Sequence, residues 1–451
     1  MLKIGLEIHG YIETKEKLFC RCATEYDINT INKNICPICT AMPGAKPMSP
    51  NKEALKKVSK IALMLNCNVN SEKPIVWQRK HYDWPDLPKG YQNTMSGSYS
   101  VPIAHSGKFL NIGIREIHLE EDPAAWDPQT GCVDYNRSGL PLAEIVTEPD
   151  FNNAEYLEEW LKNLIIALSY LKALNKKLGI KADVNVSYSG RERVEIKNLN
   201  SISNIISAVK YEEERQKKEK VERETRRFDD KKGITIKMRT KELAEDYRFI
   251  PDPDLPIVKI ESSHIKKLKK EIPESPMEKL EKLKKKHKLD ESSAQILAKN
   301  LEIVEFFENV AQKTDIKLAR DWVIIELLRV LNWNKKTLDE VNIKEEHFIE
   351  LLNLIKENKL TPLKAKQILN AFIPNSFSPK EKLGEATRIT DKNDIKKFCE
   401  QAIKNNKQAA QDFKQGKQEA LNFLLGEVMK LSKKRADYKI AKEVLIEMLK
   451  N

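Results

Sequence analysis

Between Arg115 and Asp150 the chain reads REIHLEED, PAAWDPQTGCVDYNRSGLPL and AEIVTEPD. Glu116, Glu120, Glu121, Asp122, Glu144 and Glu148 lie there among Ile114, Ile117, Leu119, Leu142, Ile145 and Val146. Carboxylates packed so closely repel unless a cation or a proton lies between them. Hard oxygen ligands of this kind suit Mg²⁺, with substrate phosphates completing its shell. The plainer reading is a solvated acidic edge paired with Lys and Arg. The theme recurs at the N-terminus, where Ile4, Leu6 and Ile8 alternate with Gly5, Glu7 and His9. A strand with that pattern puts Glu7 and His9 on one polar face, about 7 Å apart. They can share a divalent ion or stay solvated. Alternation returns twice more, placing Asp183, Asn185 and Ser187 together, then Arg193, Glu195 and Lys197.

One sheet carrying all these strands would form a cradle of acids with interspersed cations. That arrangement suits phosphoryl transfer from Mg·ATP: acids hold the metal, and Lys and Arg steady the transferring group. No Walker-type glycine-rich loop is present, which argues against a P-loop enzyme. Two further stretches offer phosphate contacts. Arg79-Lys-His-Tyr-Asp-Trp-Pro-Asp-Leu-Pro-Lys-Gly-Tyr91 is too rich in Pro and Gly for a long helix. Its Arg79, Lys80 and Lys89 can meet phosphate, and Tyr82 or Trp84 can stack on a base. Arg239, Lys241 and Arg248 can do the same, or pair with Glu242, Glu245 and Asp246.

Cys20 and Cys22, followed after a loop by Cys36 and Cys39, match a closed tetrahedral Zn²⁺ site. Four thiolates leave no open position, so such a zinc is structural. Four reduced thiols without metal are the alternative. Seven cysteines with four clustered fit a reducing compartment better than a disulfide framework. Cys67 and Cys399 read as core.

The supporting elements follow from periodicity. Asn51 to Leu65 and Asn153 to Leu174 have helical spacing, the second with Leu157, Trp160, Leu161, Leu164, Ile165 and Leu168 on one stripe. After the proline cluster ending at Pro256 and a polar linker, the chain reads helical almost throughout. Helices are expected near Asp290–Gln312, Leu318–Leu331, Glu345–Glu357, Pro362–Phe372, Asp391–Asn405 and Ala409–Ser432. Charged residues make up 32% of the 451 residues, the net charge is +12, and no apolar run is long enough to span a bilayer. The N-terminus lacks a secretory pattern, so a cytoplasmic protein with a polyanionic partner, RNA first, is expected.

LEIHGYI, LFCRCATEY…CPICTAMPGA, RKHYDWPDLPKGYQ, IHLEEDP, VDYNRSGLPLAEIVTEPD, VEIKNLNS and MRTKELAEDYRFIPDPDLP occur in one order along the chain. Together they closely resemble the family of B subunits of aspartyl/glutamyl-tRNA(Asn/Gln) amidotransferases, the GatB/GatE family. The resemblance implies an α+β fold: a glutamine-synthetase-like antiparallel-sheet cradle over residues 1–272 with the zinc loop, a helical domain over 273–374, and a small YqeY-like tRNA-binding tail over 375–451. It implies a tRNA-dependent ligase that activates the side-chain carboxylate of Glu-tRNA(Gln) or Asp-tRNA(Asn) with ATP. The implied assembly is a heterotrimer. Its A subunit, the amidase, releases ammonia that travels through an internal channel, and a small C subunit bridges the other two. No amidase Ser-Ser-Lys pattern occurs in this chain, so glutaminase chemistry belongs to a partner. By matching motif, Glu7, His9, Glu121 and Glu148 correspond to magnesium ligands, with Glu120 beside them. Asp183, Asn185, Glu195 and Lys197 complete the polar face, and the four clustered cysteines match the zinc ligands. In a regular strand Glu120 and Glu121 point opposite ways, so one of them is structural unless a bulge intervenes. Lys414, Lys417, Lys430, Lys433, Lys434 and Arg435 in the tail are the expected tRNA contacts. One departure stands out: where relatives carry an acidic pair, Gly and then Arg before the aspartate, this chain has Lys177, Leu178 and Lys181. The competing hypothesis is a non-catalytic, zinc-containing tRNA-binding protein of the same family.

Overall fold

The computed structural model describes residues 1–25, 30–175, 177–240, 248–382 and 387–450. The chain folds into two compact units, Met1–Pro276 and Met277–Asn451. Among the described residues the first unit carries β1 (Leu2–Tyr11), β2 (Asn68–Val69), β3 (Gln78–His81), β4 (Tyr91–Thr94), β5 (Ala104–Phe109), β6 (Ile112–Glu121) and β7 (Ala125–Trp126). It continues with β8 (Val133–Asp134), β9 (Pro141–Thr147), β10 (Ile180–Tyr188), β11 (Val194–Leu199), β12 (Glu224–Asp229), β13 (Ile234–Thr240) and β14 (Arg248–Pro251). Twelve strands make one sheet in the order β13-β12-β11-β10-β1-β9-β6-β4-β3-β14, with β5 paired to β6 and β2 to β5; β7 and β8 form a separate ribbon.

The expected acid-bearing strands β1, β6, β9, β10 and β11 are therefore contiguous in one sheet, with β1 at their centre. Register does the rest. Glu7 pairs with Asp183 on one side and Val146 on the other, and His9 pairs with Glu144. The sheet is not wholly antiparallel, as the resemblance implied. β11 and β12 run parallel, because α3 (Ile202–Lys218) carries the chain between them, and parallel neighbours need such a crossover.

Alternation decides which face is dry. Ile4, Leu6, Ile8, Ile117, Ile145 and Val184 are almost fully buried in one core. They meet α1 (Lys52–Met64) through Val58 and Ile61, and α2 (Ala154–Tyr170) through Leu157, Trp160 and Leu164. Asn51 and Asn153 start these helices by accepting from backbone N–H groups of the first turn, which satisfies donors a helix leaves unpaired. Trp160 is fully buried and donates its Nε1–H to the Phe109 carbonyl at 2.8 Å. With the helices on that face, the alternate residues are left on the other, and these are the acids.

The second unit is helical, as expected, with finer breaks. The stretch 290–312 divides into Glu291–Ala298 and Leu301–Lys313, because Asn300 adopts an extended conformation and caps the second helix through Ile303 N. The stretch 409–432 divides into Lys407–Lys414 and Gln418–Leu431 around Gly416, whose φ of 94° only glycine adopts readily. Trp322–Leu327 is a π-helical turn between two α-helical segments. The tail helices share a core of their own that includes Cys399, Leu424, Val428, Val444 and Leu445. The expected border at 374/375 falls within this second unit. Among the described residues, no helix is long and apolar enough to cross a membrane.

Candidate active site

The acid face of the sheet floors a cavity of about 920 Å³. Glu7 and His9 of β1, Glu120 of β6, Glu144 of β9, and Asp183 and Lys197 of β10 and β11 line it. Two groups of possible metal ligands lie side by side. His9, Glu120 and Glu144 form one, and Glu7, Asp183 and Glu195 the other; within each, the donor atoms lie within 4.8 Å of one another. His9 Nε2 is 3.7 Å from Glu120 Oε1 and 4.0 Å from Glu144 Oε1. Lys197 Nζ sits 2.9 Å from both Asp183 Oδ2 and Glu195 Oε1. Asn185 donates to Glu7 Oε1 at 3.1 Å.

Electrostatics follow this geometry. Burial, reinforced by Glu144, pushes Glu120 up to about 7. Burial and the neighbouring Glu144, Asp183 and Glu195 also raise Glu7. Burial opposes the charged form of His9, but Glu144 and Glu120 outweigh it and raise its pKa. Lys197 is raised in the same way by Asp183 and Glu195 against its burial. A buried site whose acids resist losing their protons has spare capacity for cations. The donor sets are carboxylate oxygens with one imidazole, a chemistry that fits a divalent ion. The cavity is roomy enough for a nucleotide and a substrate side chain.

The remaining expected residues divide. Glu121 points to the opposite face, as the pleat requires: it pairs with Lys89, accepts from Asn93 N at 2.9 Å, and lines a separate cavity of about 300 Å³ beside the cysteine loop. Glu148 lies just past the end of β9, is 42% exposed, and forms an ion pair with Arg115 at 3.0 Å. Neither joins the two ligand groups. Arg79 makes a bidentate contact with Asp252 and reaches Asp254, so its fork is occupied outside the large cavity. Lys80 does line the cavity. Arg248 is exposed on β14, while Lys241 and the Arg239 side chain lie outside the described residues.

The two parts of the chain each match a family model. Residues 2–266 match that of the GatB/GatE catalytic domain, and residues 305–449 that of the GatB domain. The chain belongs to the GatB/GatE family. It is 44% identical to the B subunit of the aspartyl/glutamyl-tRNA(Asn/Gln) amidotransferase of Methanocaldococcus jannaschii, covering 99% of this chain and 98% of that one. It is 42% identical to the B subunit from Methanopyrus kandleri, with 99% and 98% covered. It is also 42% identical to that of Methanothermobacter thermautotrophicus, with 99% and 100% covered.

In this GatB/GatE chain the four cysteine sulfurs also converge within 4.8 Å of one another. Zn–S bonds of about 2.3 Å set tetrahedral edges of about 3.8 Å, so the set fits zinc with small adjustment. A hydrogen bond with Cys20, helped by Lys17, lowers Cys39 to about 5 against its burial, whereas burial raises Cys22 to about 12. The loop is tied down by side chains distant in sequence: Asp134 Oδ1 accepts from Asn32 N at 3.0 Å, and Asn136 Oδ1 from Asn34 N at 2.8 Å.

Sequence reasoning missed Glu144 as a ligand, and missed a chain of polar contacts on the cavity wall. Lys181 Nζ lies 3.0 Å from the Tyr11 hydroxyl, which donates to Asp122 Oδ2 at 2.8 Å, and Arg137 Nε meets the same oxygen at 3.0 Å. Burial lowers the Lys181 pKa. The departure from the GatB/GatE pattern has a packing rationale. Leu178 joins a small apolar cluster of Tyr11, Leu140 and Leu142, a place where a carboxylate would be desolvated. The signal for Glu144 was present in Leu142, Glu144 and Val146, which alternate on the face that carries His9.

Proposed function

We propose that this chain is the activating component of a tRNA-dependent amidotransferase. In it, ATP phosphorylates the side-chain carboxylate of a glutamyl or aspartyl residue esterified to tRNA(Gln) or tRNA(Asn). The observation that carries the reading is the pair of ligand groups that meet at β1, five of whose six members line one cavity, together with relatives named for this reaction. A carboxylate oxygen of the substrate takes the γ-phosphoryl group, the bond to the β–γ bridging oxygen breaks, and ADP leaves. Ammonia then attacks the acyl carbon, inorganic phosphate departs with the C–O electron pair, and a proton is lost to give the amide.

His9, Glu120 and Glu144, with Glu7, Asp183 and Glu195, are the residues that would hold Mg²⁺. When bound, Mg²⁺ neutralises phosphate charge as it redistributes during transfer. The chain's own groups do the remainder. Lys197 holds Asp183 and Glu195 in one orientation. Asn185 fixes the Glu7 carboxylate. Lys80 and Arg137 add positive charge to the walls, where anions gather during the reaction. Ammonia would come from glutamine hydrolysed by a partner amidase, with a small third protein completing the assembly, in the cytoplasm. Zn²⁺ on the four cysteines would be structural.

A non-catalytic tRNA-binding role is disfavoured by the same acids, since the carboxylates of Glu7, Glu120, Glu144 and Asp183 face one cavity and, when ionised, repel RNA phosphate. The test is amide formation on Glu-tRNA(Gln) by the chain assembled with its partner subunits, ATP and glutamine. Glu144→Gln is expected to lower amide formation by about 10²–10³-fold and leave tRNA binding near the wild-type level. Undiminished turnover in that variant would overturn the reading.

A further inference from the structure

One acid on the wall of the large cavity has no role in either ligand group. Asp86 lies in the turn between β3 and β4, and its Oδ1 is buried without a hydrogen-bond partner among the described residues. Buried polar atoms are almost always satisfied, so an orphan on a cavity wall calls for an explanation. The fold does not need this carboxylate. The turn is held by its backbone: Ala124 N donates to the Asp86 carbonyl at 2.8 Å, and Leu87 N to the Trp84 carbonyl at 3.2 Å. Leu87 anchors it in the interior. Arg137 attracts the carboxylate but leaves Oδ1 without a hydrogen bond among the described residues. Arg137 Nε is engaged by Asp122 and the Pro123 carbonyl, and its Nη2 by the Ala124 carbonyl. Burial pushes Asp86 up to about 6, with Arg137 pulling the other way and Asp122 adding repulsion. Asp83, the other acid of this turn, also lines the cavity but is exposed.

A desolvated carboxylate on a ligand-binding wall is complementary to a cation with N–H donors. The reaction proposed above brings in phosphates and a carboxylate, which are anions, and one organic cation, the α-ammonium of the aminoacyl ester. Resting on that reading, we propose that Asp86 receives the α-ammonium group of the tRNA-bound amino acid. It thereby orients the side-chain carboxylate toward the acid floor of the cavity. Asp86 is a specificity residue: it selects an aminoacyl ester with a free amine over one that is acylated or lacks nitrogen.

The experiment compares Glu-tRNA(Gln) with glutaryl-tRNA(Gln), in which hydrogen replaces the α-ammonium, using the assembled amidotransferase. Wild type should favour the natural substrate by about 10- to 100-fold in kcat/KM, the usual range for a hydrogen bond to a charged group. Asp86→Asn should lose that preference, mainly through KM, while its kcat/KM on glutaryl-tRNA stays within about threefold of wild type; Asp86→Glu should retain part of the preference. An Asp86→Asn enzyme that keeps the wild-type ratio, or loses activity equally on both substrates, overturns the assignment. A wild-type enzyme active on both but indifferent between them overturns it without any variant. A wild type inactive on both removes the functional reading as well.

Discussion

Nε2 of His9 on β1 lies 3.7 Å from Oε1 of Glu120 on β6, across the intervening strand β9, whose Glu144 completes the group. Both titrating partners have raised pKa values, Glu120 to about 7. The metal-free folded unit therefore holds protons that the unfolded chain releases at lower pH. By linkage, its stability falls as pH climbs from about 5 to 8, because the unfolded state binds fewer protons there. Differential scanning calorimetry should show a lower Tm at pH 8 than at pH 6, by on the order of a few degrees. Mg²⁺ should restore more at pH 8 than at pH 6. Glu120→Gln should flatten this slope, and an unchanged slope in that variant would show that the pair does not titrate as argued.

Glu144 and Glu148 offer a direct contrast. Glu144 faces His9 in the cavity, whereas Glu148 is exposed and bound to Arg115. Glu144→Gln should lower kcat for amide formation by about 10²–10³-fold, the usual cost of losing a charge-stabilising group. Glu148→Gln should stay within about threefold of wild type, since exposed ion pairs contribute little. Steady-state kinetics of the two variants with saturating ATP decide between the positions, and a reversed order would relocate the ligand set.

Much of this site could be read from alternation and not from identity. Period-two spacing put Glu7 and His9 on one face, and the same rule separates Glu120 from Glu121. What alternation cannot supply is strand order and register. Glu144 and Glu148 share a parity, but only the pairing of Glu144 with His9, and the end of β9 at Thr147, shows which of them faces the cavity. Arg79 and Lys89 looked alike as loop cations, yet each is held by an acid distant in sequence, Asp252 or Glu121. Asp86 carried no sequence signal, because its distinction is a buried Oδ1 without a hydrogen bond among the described residues. In the second unit, Asn300 and Gly416 were available as helix-break signals and were outweighed by the apolar periodicity on either side.

Lys197 bridges Asp183 and Glu195 at 2.9 Å each. Lys197→Met leaves two carboxylates facing one another with their shared cation removed. Breaking a buried ion pair in this way typically costs about 3–5 kcal/mol, so urea unfolding of the metal-free protein should shift to lower denaturant. High Mg²⁺ should recover part of the loss by replacing the ammonium charge. A variant as stable as wild type without metal would mean that the two acids already share a proton.

The cysteine cluster gives a prediction independent of catalysis. With Cys20 raised and Cys22 at about 12, the metal-free site retains thiol protons near neutrality. Metal uptake must displace them, so affinity should rise with pH. Atomic absorption should find one Zn²⁺ per chain, and Cys39→Ser should reduce this below about one tenth, with Tm falling by on the order of 5 °C. A cluster that stays metal-free and equally stable after reconstitution would leave the loop held only by its contacts to Asp134, Asn136 and Ser138.

The tail cations make the last contrast. Lys414, Lys417, Lys430 and Lys433 are exposed; Lys434 and Arg435 are half-buried in a turn where Lys433 and Lys434 adopt positive φ. Lys417 and Lys430 already meet Asp412 and Glu427. A phosphate contact through them would have to displace those carboxylates, whereas no ion pair to Lys414 or Lys433 stands in the way among the described residues. Each true phosphate contact releases counterions and contributes about 0.7–0.9 to the slope of log K against log salt. Lys414→Gln with Lys433→Gln should therefore lower the salt slope of tRNA binding by about 1.5, and Lys417→Gln with Lys430→Gln by less. Equal slopes in both double variants and wild type, measured by filter binding from about 50 to 200 mM salt, would place the tRNA contacts elsewhere.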